Sequence, residues 1–237
     1  MRTTLLLALL FSAPAHAGWF EHTETRDFSL PAADLVELRI ESGHGFVIVE
    51  GSPDATAIEV HAEILLPVRN RINAAKIIAE ELELSLDAIG STAQLRGLFT
   101  SANRMFGEDP RISLTVRVPA SMSLVVDDGT GFIEVEGVDG DVTITDGSGS
   151  IDLRAVRGNV TIEDGSGWID VDDVSASVSI KDRSGGISIS RVAGDVTIDD
   201  GAGNVAVRDV SGNLNIVDNG SGRVRYSGIG GLIDDRS

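Results

Sequence analysis

From residue 128 onward, apolar and polar positions alternate in a fixed register. Asp128, Asp146, Asp164, Asp182, Asp200 and Asp218 are spaced 18 residues apart. Counting from each Asp, the fifth position holds Ile133, Ile151, Ile169, Ile187 and Val205, and the seventh Val135, Leu153, Val171, Ile189 and Val207. The tenth is Val138, Val156, Val174, Val192 and Val210; the fourteenth is Val142, Val160, Val178, Val196 and Leu214. The sixteenth is Ile144, Ile162, Ile180, Ile198 and Ile216. The twelfth is small in every copy: Gly140, Gly158, Ala176, Gly194 and Gly212. Ile-x-Val and Val-x-Ile are strand patterns of β-branched residues with one buried face. Glycines bound them, as in Asp146-Gly147-Ser148-Gly149, and permit the positive φ of a tight corner. Two copies depart: Asp182 is followed by Arg183-Ser184-Gly185, and the sixth copy carries an extra residue, Asn219, before Gly220-Ser221-Gly222.

One 18-residue unit holds two short strands and two corners and cannot bury its own apolar face, so units must stack. The predicted fold is all-β: a parallel β-solenoid with 18-residue rungs about 4.8 Å apart. An antiparallel sandwich or barrel is the alternative that short strands with turn signals also allow. It fits a strict, in-register period less well.

The first half is less regular. Strands are expected at Leu35–Ile40, at Phe46–Val49 after Gly43-His44-Gly45, at Ala57–Ile64, at Leu82–Leu86, at Ile112–Val118 and at Leu124–Val126. Residues 70–81 form the one helix candidate, with Ile72, Ala75, Ala79 and Leu82 near helical spacing. Gly97–Pro110 reads as a loop with apolar anchors. The expected organisation is a leader over 1–17, a β-rich N-terminal part over 18–126 that caps or extends the stack, and regular rungs over 127–237. Asp234, Asp235 and Arg236 place charge where the last strand edge needs protection.

Met1–Ala17 has the form of a secretory signal peptide: Arg2, the apolar run Leu5–Phe11, and the small-x-small site Ala15-His16-Ala17. The mature chain is then expected to begin at Gly18 and to be exported, soluble in the periplasm or outside the cell. The apolar run is short of the ~20 residues a membrane span needs.

The chain carries 37 acidic and 19 basic residues, a net charge of −18, and no cysteine. That balance argues against nucleic acid and anionic membrane surfaces as partners. Without cysteine there are no disulfides, thiol nucleophiles or cysteine-held metals.

The Asp column is the first candidate site. Carboxylates stacked ~5 Å apart repel by about 0.8 kcal/mol in water and about 3 kcal/mol at an effective dielectric of 20. Either a cation relieves this, or each Asp caps its own corner by accepting backbone N–H groups. A calcium-binding nonapeptide has half this period, but its ligand position falls on Ile133, Ile151, Ile169, Ile187 and Val205, which are core. Phe132 and Trp168 share the fourth position, where Ser150, Gly186 and Asn204 also stand. Two rings on one edge can stack on sugars or a partner protein, or cover a corner.

His22, His44 and His61 lack metal-ligand spacing, and Gly43-His44-Gly45 lacks the Lys-Ser/Thr and helix start of a phosphate loop. Asp172-Asp173 and Asp199-Asp200 are the carboxylate pairs a glycosidase would need. No catalytic residue, cofactor or metal is expected. Outward Thr143, Thr161, Ser179 and Thr197 form a polar face.

Val116-Arg117-Val118-Pro119, then Leu124-Val125-Val126, then Gly131-Phe132-Ile133-Glu134-Val135 and the repeated Gly-x-Val-x-Ile resemble the bacterial "putative adhesin" family of the DUF4097 type, over about residues 30–235. The resemblance implies exported β-solenoid domains with a non-enzymatic envelope or surface role, and supplies no catalytic motif. Three functions are therefore carried forward: an adhesin-like binding or scaffold protein of the cell envelope, a carbohydrate-active enzyme on a β-helix, and a structural protein that self-associates through solenoid ends. The envelope protein or polysaccharide that would be its partner is not specified by these residues.

Overall fold

Alternating β-branched residues with glycine corners fold as the repeat requires. The structure is a computed structural model that describes residues 6–8, 20–68, 71–100 and 109–237. Most of the expected leader over 1–17, with the expected cleavage site after Ala17, lies outside the described residues.

Among the described residues, twenty-one strands form two sheets. The first runs β1 (Leu6–Ala8), β2 (Phe20–Pro31), β5 (Ala57–Val68), β8 (Arg111–Pro119), β4 (His44–Ser52), β10 (Thr130–Glu136), β12 (Gly149–Val156), β14 (Gly167–Val174), β16 (Gly185–Val192), β18 (Gly203–Val210) and β20 (Val224–Ile229). The second runs β21 (Ile233–Asp235), β19 (Leu214–Asp218), β17 (Val196–Asp200), β15 (Val178–Asp182), β13 (Val160–Asp164), β11 (Val142–Asp146), β9 (Ser123–Asp128), β3 (Glu37–Ser42), β7 (Thr92–Phe99) and β6 (Leu82–Ile89). Helix α1 spans Arg71–Glu81.

Neighbouring strands of the C-terminal half are parallel and in register, with Ile133↔Ile151, Ile169↔Ile187, Val142↔Val160 and Ile162↔Ile180 side by side. These aliphatics are at most 2% exposed and form one continuous core. The protein is thus a parallel β-solenoid of 18-residue rungs.

Two conformations make the corners. Gly131, Gly149, Gly167 and Gly185 have φ between +149° and +156°, and a Cβ on Gly167 would lie 1.5 Å from the carbonyl oxygen of Gly149 in the rung before. Only glycine fits such an approach. At the second corner the chain is left-handed at Ala155, Asp173, Arg191 and Asp209, with φ of 53–60°.

The stack continues into the N-terminal part, but not in chain order. β3 and β4 form a rung beneath β9 and β10, and β7 and β8 form a further rung outside it, all parallel. Beyond that, pairing turns antiparallel: β6 on β7, β5 on β8 and β2 on β5. Strands plus one helix therefore cap and extend the solenoid.

Two local expectations are corrected. Helix α1 buries Ala74 and half-buries Ile77 and Ile78, whereas Ile72, Ala75 and Ala79 are exposed. Residues 74, 77, 78 and 81 satisfy the same spacing, and they form the face turned to β2, β5 and β6. Gly97, Leu98 and Phe99 belong to β7, paired with Leu84, Glu83 and Leu82, because β6 supplies an alternating partner; Thr100, Asp109 and Pro110 lie outside the strands. Residues 101–108 of the expected loop lie outside the described residues.

Candidate functional site

The Asp column lies inside the solenoid. Asp128, Asp146, Asp164, Asp182 and Asp200 are 0–5% exposed, pointing inward at the end of each second-sheet strand. Their register is direct, Asp128↔Asp146↔Asp164↔Asp182↔Asp200. In each of the last four, Oδ1 accepts the backbone N–H two residues on, from Ser148, Ser166, Ser184 and Ala202, at 3.0–3.2 Å. The Oδ1 of Asp128 instead accepts the Ser42 hydroxyl. Every Oδ2 in the column is buried and has no hydrogen-bond partner.

An orphan carboxylate oxygen in an apolar corner favours the neutral acid. Burial raises the pKa of all five groups above the ordinary 3.8. For Asp146, burial plus the charges of Asp128 and Asp164 push it to about 7. The column caps its corners, and burial makes each of its carboxyls easier to protonate than an exposed one.

Asp218 does not join it. The sixth rung shifts register between Ile198 and Asp199, which places Asp218 beside Asp199. Asp218 is exposed, and Asn219 is buried at 4%. The extra residue turns the Asp outward, and the neutral Asn takes the inward place.

A second polar column runs along the opposite corner. Asp141, Asn159, Ser177, Asp195 and Asn213 each accept the backbone N–H of the rung above, at 2.7–3.3 Å. The signal was present in the chain as Asp, Asn or Ser recurring at 18-residue intervals, but it carries no aliphatic period.

On the outer face of the first sheet, the register brings Phe46, Phe132, Ser150, Trp168 and Gly186 into one row. Phe132 and Trp168 are thus two rungs apart, about 10 Å. Phe46 extends the row; its signal was the Gly45-Phe46 pair, which repeats Gly131-Phe132. Trp168 remains 52% exposed. A Cβ on Gly186 would come within 2.2 Å of the Trp168 ring, so the glycine at that position lets the indole lie down on the neighbouring rung.

Phe46 and Phe132 open onto a groove of about 830 Å³, lined also by Leu65, His44, Glu63, Asp109 and Arg111. Its walls come from β5, β8, β4 and β10, so the antiparallel cap and the first rungs build it together. On β10, β12 and β14, two residues beyond Phe132, Ser150 and Trp168, Glu134, Asp152 and Asp170 form an acidic row on the same face.

The remaining candidates do not converge. His61 Nδ1 lies 2.6 Å from Asp27 Oδ1, His22 approaches Glu24 at 4.0 Å, and His44 is at the groove. Asp200 points into the core, while Asp199 lies on the outer side of the same strand. Asp172 accepts the Ser190 hydroxyl at 2.6 Å and pairs with Arg191, while Asp173 sits at a left-handed corner. Among the described residues no three His, Cys, Asp or Glu side chains are placed to hold a metal. No helix among them is long and apolar enough to cross a membrane.

No family model matches the chain, and no curated protein does. Among solved structures, a "putative cell adhesion protein" from Clostridium sporogenes is 13% identical with a TM-score of 0.36, covering 92% of this chain and 98% of that one. A "putative adhesin" from Bacteroides fragilis is 13% identical with a TM-score of 0.34, covering 90% and 96%. One from Parabacteroides merdae is 12% identical with a TM-score of 0.29, covering 91% and 96%. These likenesses are too low to transfer a ligand or a role.

Proposed function

We propose that the chain is an exported, non-enzymatic binding module of the cell envelope, adhesin-like, which takes a polysaccharide strand along the outer face of its first sheet. The observation that supports this is the aromatic row: Phe46 and Phe132 at a groove, and a flat, half-exposed Trp168 two rungs on. Rings presented face-outward on a rigid sheet suit the apolar faces of sugar rings and need no ordering on binding. The acidic row beside them and the net charge of −18 select a neutral or cationic chain over an acidic one.

The test is a binding and turnover screen of the purified protein against neutral, cationic and acidic polysaccharides. Binding to a neutral or cationic chain without new reducing ends is expected. Trp168→Ala should weaken it about fivefold, from a stacking contact of ~1 kcal/mol, while the solenoid stays folded by circular dichroism. Turnover would support the carbohydrate-active enzyme instead, and binding that Trp168→Ala leaves intact would refute the site.

A further inference from the structure

Strand β2 is paired residue for residue with β5 on one side, from Phe20↔Val68 to Pro31↔Ala57. On its other side, its neighbour among the described residues is β1, which covers Thr25, Arg26 and Asp27 alone. β1 lies within the leader. Once the leader is removed, no described residue pairs with this edge, which is twelve residues and about 40 Å long. Such an edge is a template for another strand. Its one proline, Pro31, is at the far end, and it holds no lysine.

Its charges are self-complementary in one register. Phe28 and Leu30 are buried, so the even-numbered residues of β2 face the core side. Two copies related by a two-fold axis keep their core faces together only when residues of like parity stand opposite. Centring the pair on Thr25 sets Glu24 against Arg26 of the second copy twice over, Thr23 against Asp27, and His22 against Phe28. The adjacent registers of that kind set Glu24 against Glu24 or Arg26 against Arg26, which repel.

We infer that the mature chain is a two-fold dimer formed by antiparallel pairing of β2 with β2 of a second copy, centred on Thr25. This rests on removal of the leader after Ala17.

The test uses the chain purified after export, with its N-terminus read by intact mass and its size by light scattering. A chain beginning at Gly18 with the mass of a dimer is expected. The protein has no cysteine, so single-cysteine variants report the register directly. Thr25→Cys places its two Cα atoms about 4.5–5.5 Å apart, within disulfide range, and should give a covalent dimer on mild oxidation. Thr23→Cys, four residues from its own copy and about 14 Å away, should not. Glu24→Arg should raise the dimer dissociation constant roughly tenfold, and Glu24→Arg with Arg26→Glu should restore it. A monomer beginning at Gly18, or crosslinking at Thr23→Cys in place of Thr25→Cys, overturns the proposal. A monomer that retains its leader overturns the leader reading, and the open edge with it.

Discussion

Asp146→Asn probes the buried carboxyl column. The ordinary carboxyl pKa is 3.8, and in the fold Asp146 is pushed to about 7. The folded chain therefore keeps a proton that the unfolded chain has lost, and stability falls as pH rises between about 4 and 7. At about 1.4 kcal/mol per pH unit the whole window is worth ~4 kcal/mol, and solvent screening at the corner brings it to ~2 kcal/mol. For a domain of this size that is a fall in melting temperature of roughly 4–8 °C. The other four aspartates shift in the same direction and steepen the slope. Asn keeps the oxygen that accepts the Ser148 N–H but never ionises. Melting followed by circular dichroism from pH 4 to 8 should show the wild type losing stability toward pH 8 and Asp146→Asn losing less. The difference between the two removes the general self-repulsion of an acidic chain. A wild type that gains stability from pH 5 to 8, or an Asp146→Asn that melts lower than wild type at pH 8, refutes the reasoning.

Gly167→Ala should destabilise by about 3 kcal/mol or more in denaturant titration, because its methyl meets the Gly149 carbonyl and its φ of 151° strains any side chain. Ala155→Gly should act oppositely, raising stability by up to ~1 kcal/mol, since it relieves a left-handed alanine at φ 53° on an exposed corner. Calcium and a chelator should leave the melting midpoint unchanged, because each Oδ1 of the column from Asp146 to Asp200 is already held by a backbone N–H.

The rungs were legible because each inward aliphatic position recurs at a fixed interval, and the period survives whatever the outer residues are. β2 was not, because His22, Glu24 and Arg26 share a face with Phe28 and Leu30, which blurs the alternation. The place of β7 and β8, outside β3 and β4, depends on pairing between remote strands, which no local period encodes. The Asp positions were visible, but their inward direction was not, since glycine corners interrupt the two-residue alternation. Phe132 and Trp168 were legible as one edge. Gly186 as the space for the indole emerges only when the three rungs stand side by side.

The departures from the repeat fall where repetition would be costly. In-register stacking adds core contact with each rung, but it also places another buried carboxyl above the last. The column ends in neutral groups at both limits: Ser42, whose hydroxyl donates to Asp128, and the buried Asn219. Gly186 stands where an ordinary side chain would collide with Trp168. Its loss of a strand-forming side chain costs about 0.5–1 kcal/mol. That cost gains the core nothing, since the row is on the outer face. It is intelligible if the exposed ring is there to be touched, and this connects the irregular residues, rather than the repeating ones, with the binding face.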